Sequence, residues 1–270
     1  IAQPSISLAI SEMEDYYGVK LFDRISRKLY LTENGRRALQ YARHIIDLLD
    51  EMEQGVRDVD AMGRLKVGTS ITIGTYLLPG YIKKLKQQYP ALKVEASIAN
   101  SGTIEQQILD NDIDVGIIEG VAHSPFILSE SFAGDRLVFI CPAGHEFAGK
   151  TLEELSEVRN QDFILREKGS AGREIFDGIL AAQELNVRPV WQSASNQVIL
   201  QGVKAGLGIS ILPYFLVRQD IREGELAEFR IKDLALNRKY SVIYHKNKFL
   251  PRSARTLMEL CKEGNGADRL

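Results

Sequence analysis

The sequence predicts a multidomain chain. A small helical head with a β-ribbon and one long helix should precede a large α/β domain. Three observations carry this. Apolar residues fall at helical spacing on both sides of the basic run LFDRISRKLYLT. From Leu65 onward, short β-prone runs alternate with amphipathic helical runs. A length of 270 residues suits two or three domains rather than one.

Composition narrows the class. Apolar content of 44% and charged content of 26% are those of an ordinary globular protein. The two cysteines, Cys141 and Cys261, are far apart and in no CxxC pattern. This argues against a disulfide framework or a zinc site and fits a reducing cytoplasm. The run VILQGVKAGLGISILP is broken by Lys204 and three glycines, so no membrane span is expected. No signal peptide is evident, and the absent initiator Met suggests a trimmed N-terminus. The net charge of −2 hides a local asymmetry. Residues 20 to 43 hold seven cations and two acids, whereas residues 44 to 62 hold one cation and six acids.

Each element follows from a local signal. Residues 4 to 16 read as a helix, with Pro4 at its first position and Ile6, Ala9, Ile10, Met13 and Tyr17 on one face. Gly18 stops it. The ribbon follows, and Thr32 caps a new helix with Gly35 in its first turn. On that helix Ala38, Ala42, Ile45, Leu49, Met52, Val56 and Val59 form a heptad seam. One helix cannot bury such a seam alone, so Ile45, Leu49, Met52 and Val56 are expected to pair two protomers. Packing on the helix's own domain is the plainer alternative. In the α/β part, RLKVGTS, LKVEASIA, IDVGII, RLVFICP, DFILRE, RPVWQSA, GISILP and KYSVIYH read as strands. LLPGYIKKLKQQYP, GTIEQQILDND, REIFDGILAAQEL, SNQVILQGVKAG and PRSARTLMELCKEG read as helices.

Together these motifs resemble the LysR-type transcriptional regulators. Gln3, Pro4, Ser5, Ser7, Ile10, Met13, Glu14 and Gly18 match the family's recognition helix. Leu21, Phe22, Arg24, Arg27, Leu31, Thr32 and Gly35 match its wing. LPGYIKKLKQQYP, DIDVGII, CPAGHEF and GVKAGLGISILP match farther on, so the resemblance covers residues 1 to 265. It implies a winged helix-turn-helix over 1–32, its first part missing, and a linker and dimerisation helix over 33–62. A two-lobed periplasmic-binding-protein-like (type II) effector domain is then expected over 63–265. Its lobe I would comprise 63–137 and 242–265, and its lobe II 138–241, with RLVFICP and KYSVIYH crossing between them.

The expected DNA-contacting residues are Gln3, Pro4, Ser5, Ser7, Leu8, Arg24, Arg27 and Lys28. A recognition helix points its N-terminal part into the major groove. There Gln3 suits an adenine edge, and Ser5 and Ser7 suit phosphates or base edges. Leu8 departs from the long polar residue frequent in the family and suits a thymine methyl instead. The wing cations supply counterion release.

In an alternating α/β domain, ligands bind beyond the carboxyl ends of the strands. Ser70 and Thr72, Asn100 and Ser101, Arg166, Gly169 and Ser170, and Ser195 and Asn196 gather at four such places. Hydroxyls and amides at helix starts make a receptor for a small anion or carboxylate, although each alone is also an ordinary N-cap. Glu119 would oppose an anion unless it is protonated or paired with Arg166 or Lys168.

No cofactor and no metal are expected. The four histidines have no ligand spacing, EKGSAG lacks the GK[ST] of a phosphate loop, and no catalytic constellation stands out. The expected partners are an inverted-repeat duplex operator, a small effector, further copies forming a homodimer or homotetramer, and RNA polymerase. A solute-binding receptor of the same α/β fold, without DNA binding, is the alternative.

Overall fold

The computed structural model describes residues 3–25, 28–57 and 63–263. The described residues before 58 form one compact unit, and nearly all those from 63 onward form a second.

In the first unit, α1 (Gln3–Tyr17) ends at Gly18, whose φ of 65° is the left-handed conformation that glycine adopts without strain. An antiparallel ribbon follows, β1 (Phe22–Ile25) and β2 (Lys28–Leu31), with Phe22 opposite Leu31. Glu14 joins helix to ribbon. Its Oε1 accepts the Leu21 and Phe22 N–H groups at 2.8 and 3.2 Å, and its Oε2 accepts Lys20 Nζ at 2.6 Å. The Lys20 ammonium, then the Leu21 N–H, hold the Glu14 carboxyl below its ordinary pKa.

Thr32 caps α2 (Glu33–Arg57), its Oγ1 accepting the Gly35 N–H at 2.9 Å and donating to the Lys20 carbonyl at 2.6 Å. Gly35 is required by space. A Cβ there would lie 2.0 Å from the Leu21 carbonyl oxygen. Along α2, Ile45, Leu49 and Met52 are more than half exposed, so the described residues do not cover the middle of the expected seam. The side chain of Val56 and all of Val59 lie outside the described residues.

The second unit holds an eight-stranded mixed sheet in the order β4 (Lys93–Ala99), β3 (Arg64–Ser70), β5 (Val115–Glu119), β12 (Asn237–His245), β6 (Ile127–Pro142), β11 (Leu226–Ile231) and β7 (Thr151–Leu152), with β10 (Ser210–Pro213) also on β6, and a separate parallel pair, β8 (Phe163–Arg166) with β9 (Pro189–Ser193). Its first part holds β3 (Arg64–Ser70), α3 (Ile71–Tyr76), α4 (Leu78–Gln88), β4 (Lys93–Ala99), α5 (Ser101–Leu109) and β5 (Val115–Glu119). The three strands are parallel, and their apolar residues pack with α4 and the last helix, α9 (Arg252–Glu263), in one core. The strand β6 runs for 16 residues, Ile127–Pro142. Its first half pairs with β12 (Asn237–His245), and its second half with β10 (Ser210–Pro213) and β11 (Leu226–Ile231). One strand therefore belongs to two lobes.

Two further cores lie in lobe II, around Phe139, Phe163, Phe176 and Phe229, and around Ile164, Ile199 and Val217. The remaining elements of this lobe are β7 (Thr151–Leu152), β8 (Phe163–Arg166), β9 (Pro189–Ser193), α6 (Ala171–Ala182), α7 (Asn196–Lys204) and α8 (Tyr214–Arg222); β8 is buried, whereas β9 is largely exposed. Several boundaries differ from the sequence expectation. RLVFICP is only the end of β6, and α3, α8, β7 and β11 were not anticipated. The run before RLVFICP, ILSESFAG, is polar and half-exposed because it forms a sheet beside β12 rather than a core strand.

Candidate functional site

The lobes meet where β3, β4, β5 and β8 end. Ser70 closes β3 and precedes α3, and its Oγ and that of Thr72 are buried with no hydrogen-bond partner among the described residues. Asn100 opens α5, its Oδ1 accepting the Thr103 N–H at 2.9 Å. Its Nδ2 reaches across to Glu167 Oε1 at 3.3 Å. The Gly102 N–H donates to the Gly169 carbonyl at 3.0 Å. Gly169 has a φ of 86°, and a Cβ there would crowd the Asn100 side chain at 3.2 Å. Asn100 and the start of α5 thus approach the loop that opens α6.

Other members of the expected set are occupied. Ser101 Oγ donates to the Glu119 carbonyl at 3.0 Å. Ser170 Oγ accepts the Arg173 N–H, and Ser195 Oγ accepts the Val198 N–H, both at 3.4 Å, as N-caps of α6 and α7. The Arg166 fork clasps Glu167, from Nε at 2.9 Å and Nη2 at 3.0 Å, while Nη1 donates to Asn196 Oδ1 at 2.8 Å. Arg166 therefore organises the wall, and its charge is offset by Glu167. Burial pushes the Glu167 carboxyl up, but the Arg166 hydrogen bonds and charge outweigh it, and the net shift is downward.

Glu119 pairs with neither Arg166 nor Lys168. Its Oε2 lies 3.0 Å from Arg238 Nη1, and Arg238 also forks onto Asp135 at 2.6 and 2.7 Å. All three side chains are at least nine-tenths buried. Burial alone would depress the arginine, but Glu119 first and Asp135 next hold its pKa above the usual range. Burial also pushes up the Tyr240 phenol, directly opposite Glu119 on the neighbouring strand.

A cavity of about 500 Å³ opens between α3 and the start of α7. Ser195 and Asn196 line it, with Ile71, Thr75 and Tyr76 from lobe I and Gln197, Leu200, Leu212 and Leu216 from lobe II. Sequence reasoning missed these last seven. Their residue types are those of any core helix, and only Thr75 and Gln197 carry a polar signal. Trp191, in β9, is half-exposed beside Val198 and Leu207 along an open groove. Both cysteines are buried, and burial pushes the Cys141 thiol up to about 11 and the Cys261 thiol to about 12.

In the first unit, Ser5, Ser7 and Leu8 are exposed on α1, and Lys28 is exposed at the ribbon turn. Gln3 and Pro4 begin the helix, and Arg24 lies in β1, with their side chains outside the described set. Arg27 lies outside the described residues altogether. Among the described residues no helix is long and apolar enough to cross a membrane.

Comparison with known proteins gives these two units a shared context. Residues 60–266 match the LysR substrate binding domain, and residues 1–36 match the bacterial regulatory helix-turn-helix protein, lysR family. The chain is 33% identical over 267 residues to the HTH-type transcriptional regulator YeiE of Escherichia coli (strain K12), covering 98% of this chain and 89% of that protein. It is 29% identical over 246 residues to the HTH-type transcriptional regulator CysL of Bacillus subtilis (strain 168), covering 90% and 82%. Among solved structures, the Synechocystis PCC6803 CcmR regulatory domain in complex with 2-PG shares the fold, with a TM-score of 0.67, 24% identity, and coverage of 75% of this chain and 97% of that one. The effector binding domain of QuiR in complex with shikimate gives a TM-score of 0.67 at 15% identity, covering 78% and 100%. The chain belongs to the LysR family of helix-turn-helix transcriptional regulators.

Proposed function

We propose that this chain binds an inverted-repeat duplex operator as a homodimer or homotetramer, and that a small anion or carboxylate held between the two α/β lobes sets its operator binding or its activation of RNA polymerase. The observation that carries the ligand half is the meeting of the lobes at the strand ends, with the Ser70 and Thr72 oxygens at the end of β3 buried and without a hydrogen-bond partner among the described residues. The solved CcmR and QuiR domains, which share this fold, are complexes with 2-PG and shikimate. The DNA half rests on the exposed Ser5, Ser7 and Leu8 of α1 beside a cationic ribbon. The uncovered Ile45, Leu49 and Met52 of α2 supply the dimer seam, and two-fold protomers read two-fold sites. An effector that binds the closed lobes better than the open ones shifts the population toward the closed state.

The DNA half is tested by the salt dependence of binding to duplex DNA. Arg24→Ala with Arg27→Ala should weaken binding to every sequence and reduce the slope of log K against log salt by about 2. An unchanged slope contradicts the ribbon's role.

A further inference from the structure

We propose that His123 is a proton-operated latch between the two lobes: one proton shared between its outer ring nitrogen and a carboxylate of lobe II fastens them, and loss of that proton releases them. The latch acts on the lobes themselves and needs no effector. His123 follows β5 in lobe I. Its Nδ1 lies 3.2 Å from Glu105 Oε2, on α5 of the same lobe. Its Nε2 lies 3.8 Å from Glu174 Oε2, on α6 of lobe II. One imidazole thus stands between carboxylates that belong to different lobes.

Glu105 sets the state of the ring. Its side chain is nine-tenths buried, and its Oε1 already accepts the His123 and Ser124 N–H groups at 2.8 and 2.7 Å. A carboxylate in that role accepts from the ring as well, so Nδ1 carries the hydrogen of the neutral imidazole. Nε2 then presents a lone pair to the Glu174 carboxylate, acceptor against acceptor. A further proton converts that contact into a charge-assisted hydrogen bond across the lobes. Glu174 is suited to share it. Burial pushes its carboxyl up; the His123 charge opposes this, the negative Glu105 and Asp177 reinforce it, and the net shift is upward. Asp177, three residues on along α6, is itself held by Arg173 Nε at 2.7 Å. Without the shared proton, Glu105 and Glu174 are like charges with only a neutral ring between them.

The closed lobes bind this proton more tightly than the open ones, so closure is favoured as pH falls and lost as it rises. An imidazole ordinarily titrates at about pH 6.5. The carboxylate of Glu167, which takes the Asn100 amide across the lobes, titrates below 4.5 and stays ionised throughout that range.

Hydrogen exchange of the full chain, resolved to single amides by mass spectrometry, tests the latch. The Gly102 N–H donates across the lobes to the Gly169 carbonyl at 3.0 Å, whereas the Asp114 N–H donates within lobe I to the Lys66 carbonyl at 2.9 Å. After correction for the intrinsic rate at each pH, Gly102 should be roughly three- to tenfold more protected at about pH 5.5 than at about pH 8, and Asp114 the same at both. Glu174→Gln supplies an N–H to the neutral Nε2, so Gly102 should keep the higher protection at both pH values. His123→Ala removes the bridge and should leave the lower protection at both. Equal protection of Gly102 at the two pH values in the parent overturns the proposal. So does a parallel change at Asp114, which would mark a general loss of stability. A pH dependence that survives intact in Glu174→Gln overturns it too, since the proton would then act through Glu105 within lobe I.

Discussion

Glu167 shows how one side chain serves two lobes. It accepts the Arg166 fork within its own loop and the Asn100 amide from across the cleft. Its folded pKa lies below the ordinary 4.5, so its stabilising contribution is present at neutral pH and is lost as pH falls through that lowered value. Glu167→Gln should therefore be less stable than the parent at pH 7 and lose less stability on acidification, as followed by thermal melts between pH 7 and pH ~3. An identical acid profile would remove Glu167 from the bridge. Cys141 behaves oppositely. Burial holds its thiol near 11, so it should resist alkylation in the folded protein at pH 8 and react on unfolding. The positions of Ser70, Asn100, Ser170 and Ser195 were legible because a hydroxyl or amide between a β-prone run and a helical run has few places to be. Their partners were not. Glu119 and Arg238 are far apart in sequence and meet only because β12 returns beside β5.

At the scale of elements, local periodicity found α1, the ribbon and α2 with nearly their observed limits, because their signals are contained within a turn or a heptad. The second unit was harder. β6 is half polar because one side of its first half is open, so only its apolar second half announced itself. The short α3 is hidden in TSITIGTY, whose β-branched residues are equally at home in a strand. Two element-level outcomes are expected. Gly35→Ala would press its methyl into the Leu21 carbonyl, so it should destabilise the head by roughly 1–3 kcal/mol while leaving the melt of the second unit unchanged. Ile45→Glu with Leu49→Glu places charge on the uncovered α2 seam and should convert a dimer to a monomer in sedimentation velocity. Unchanged sedimentation would reject the seam as an interface.

For the whole molecule, the fold explains why binding and response can be joined. The two lobes share β6, and the chain returns from lobe II at the start of β12, which allows the lobes to move as bodies about these two strands while each keeps its own core. Between them lies a cavity of about 500 Å³, lined from lobe I by Ile71, Thr75 and Tyr76 and from lobe II by the polar start of α7 at Ser195 and Asn196. A ligand that completes those groups stabilises the closed folded state. The most direct measurement is a thermal-shift titration of small oxyanions and carboxylates against this chain and against Ser70→Ala. A ligand present at a hundred times its Kd adds about 2.7 kcal/mol. For a domain of this size that raises the melting temperature by roughly 5 to 10 °C. Such a rise is expected with an anion, and its loss in Ser70→Ala. A rise of equal size in the variant, or one produced only by neutral compounds, would contradict it.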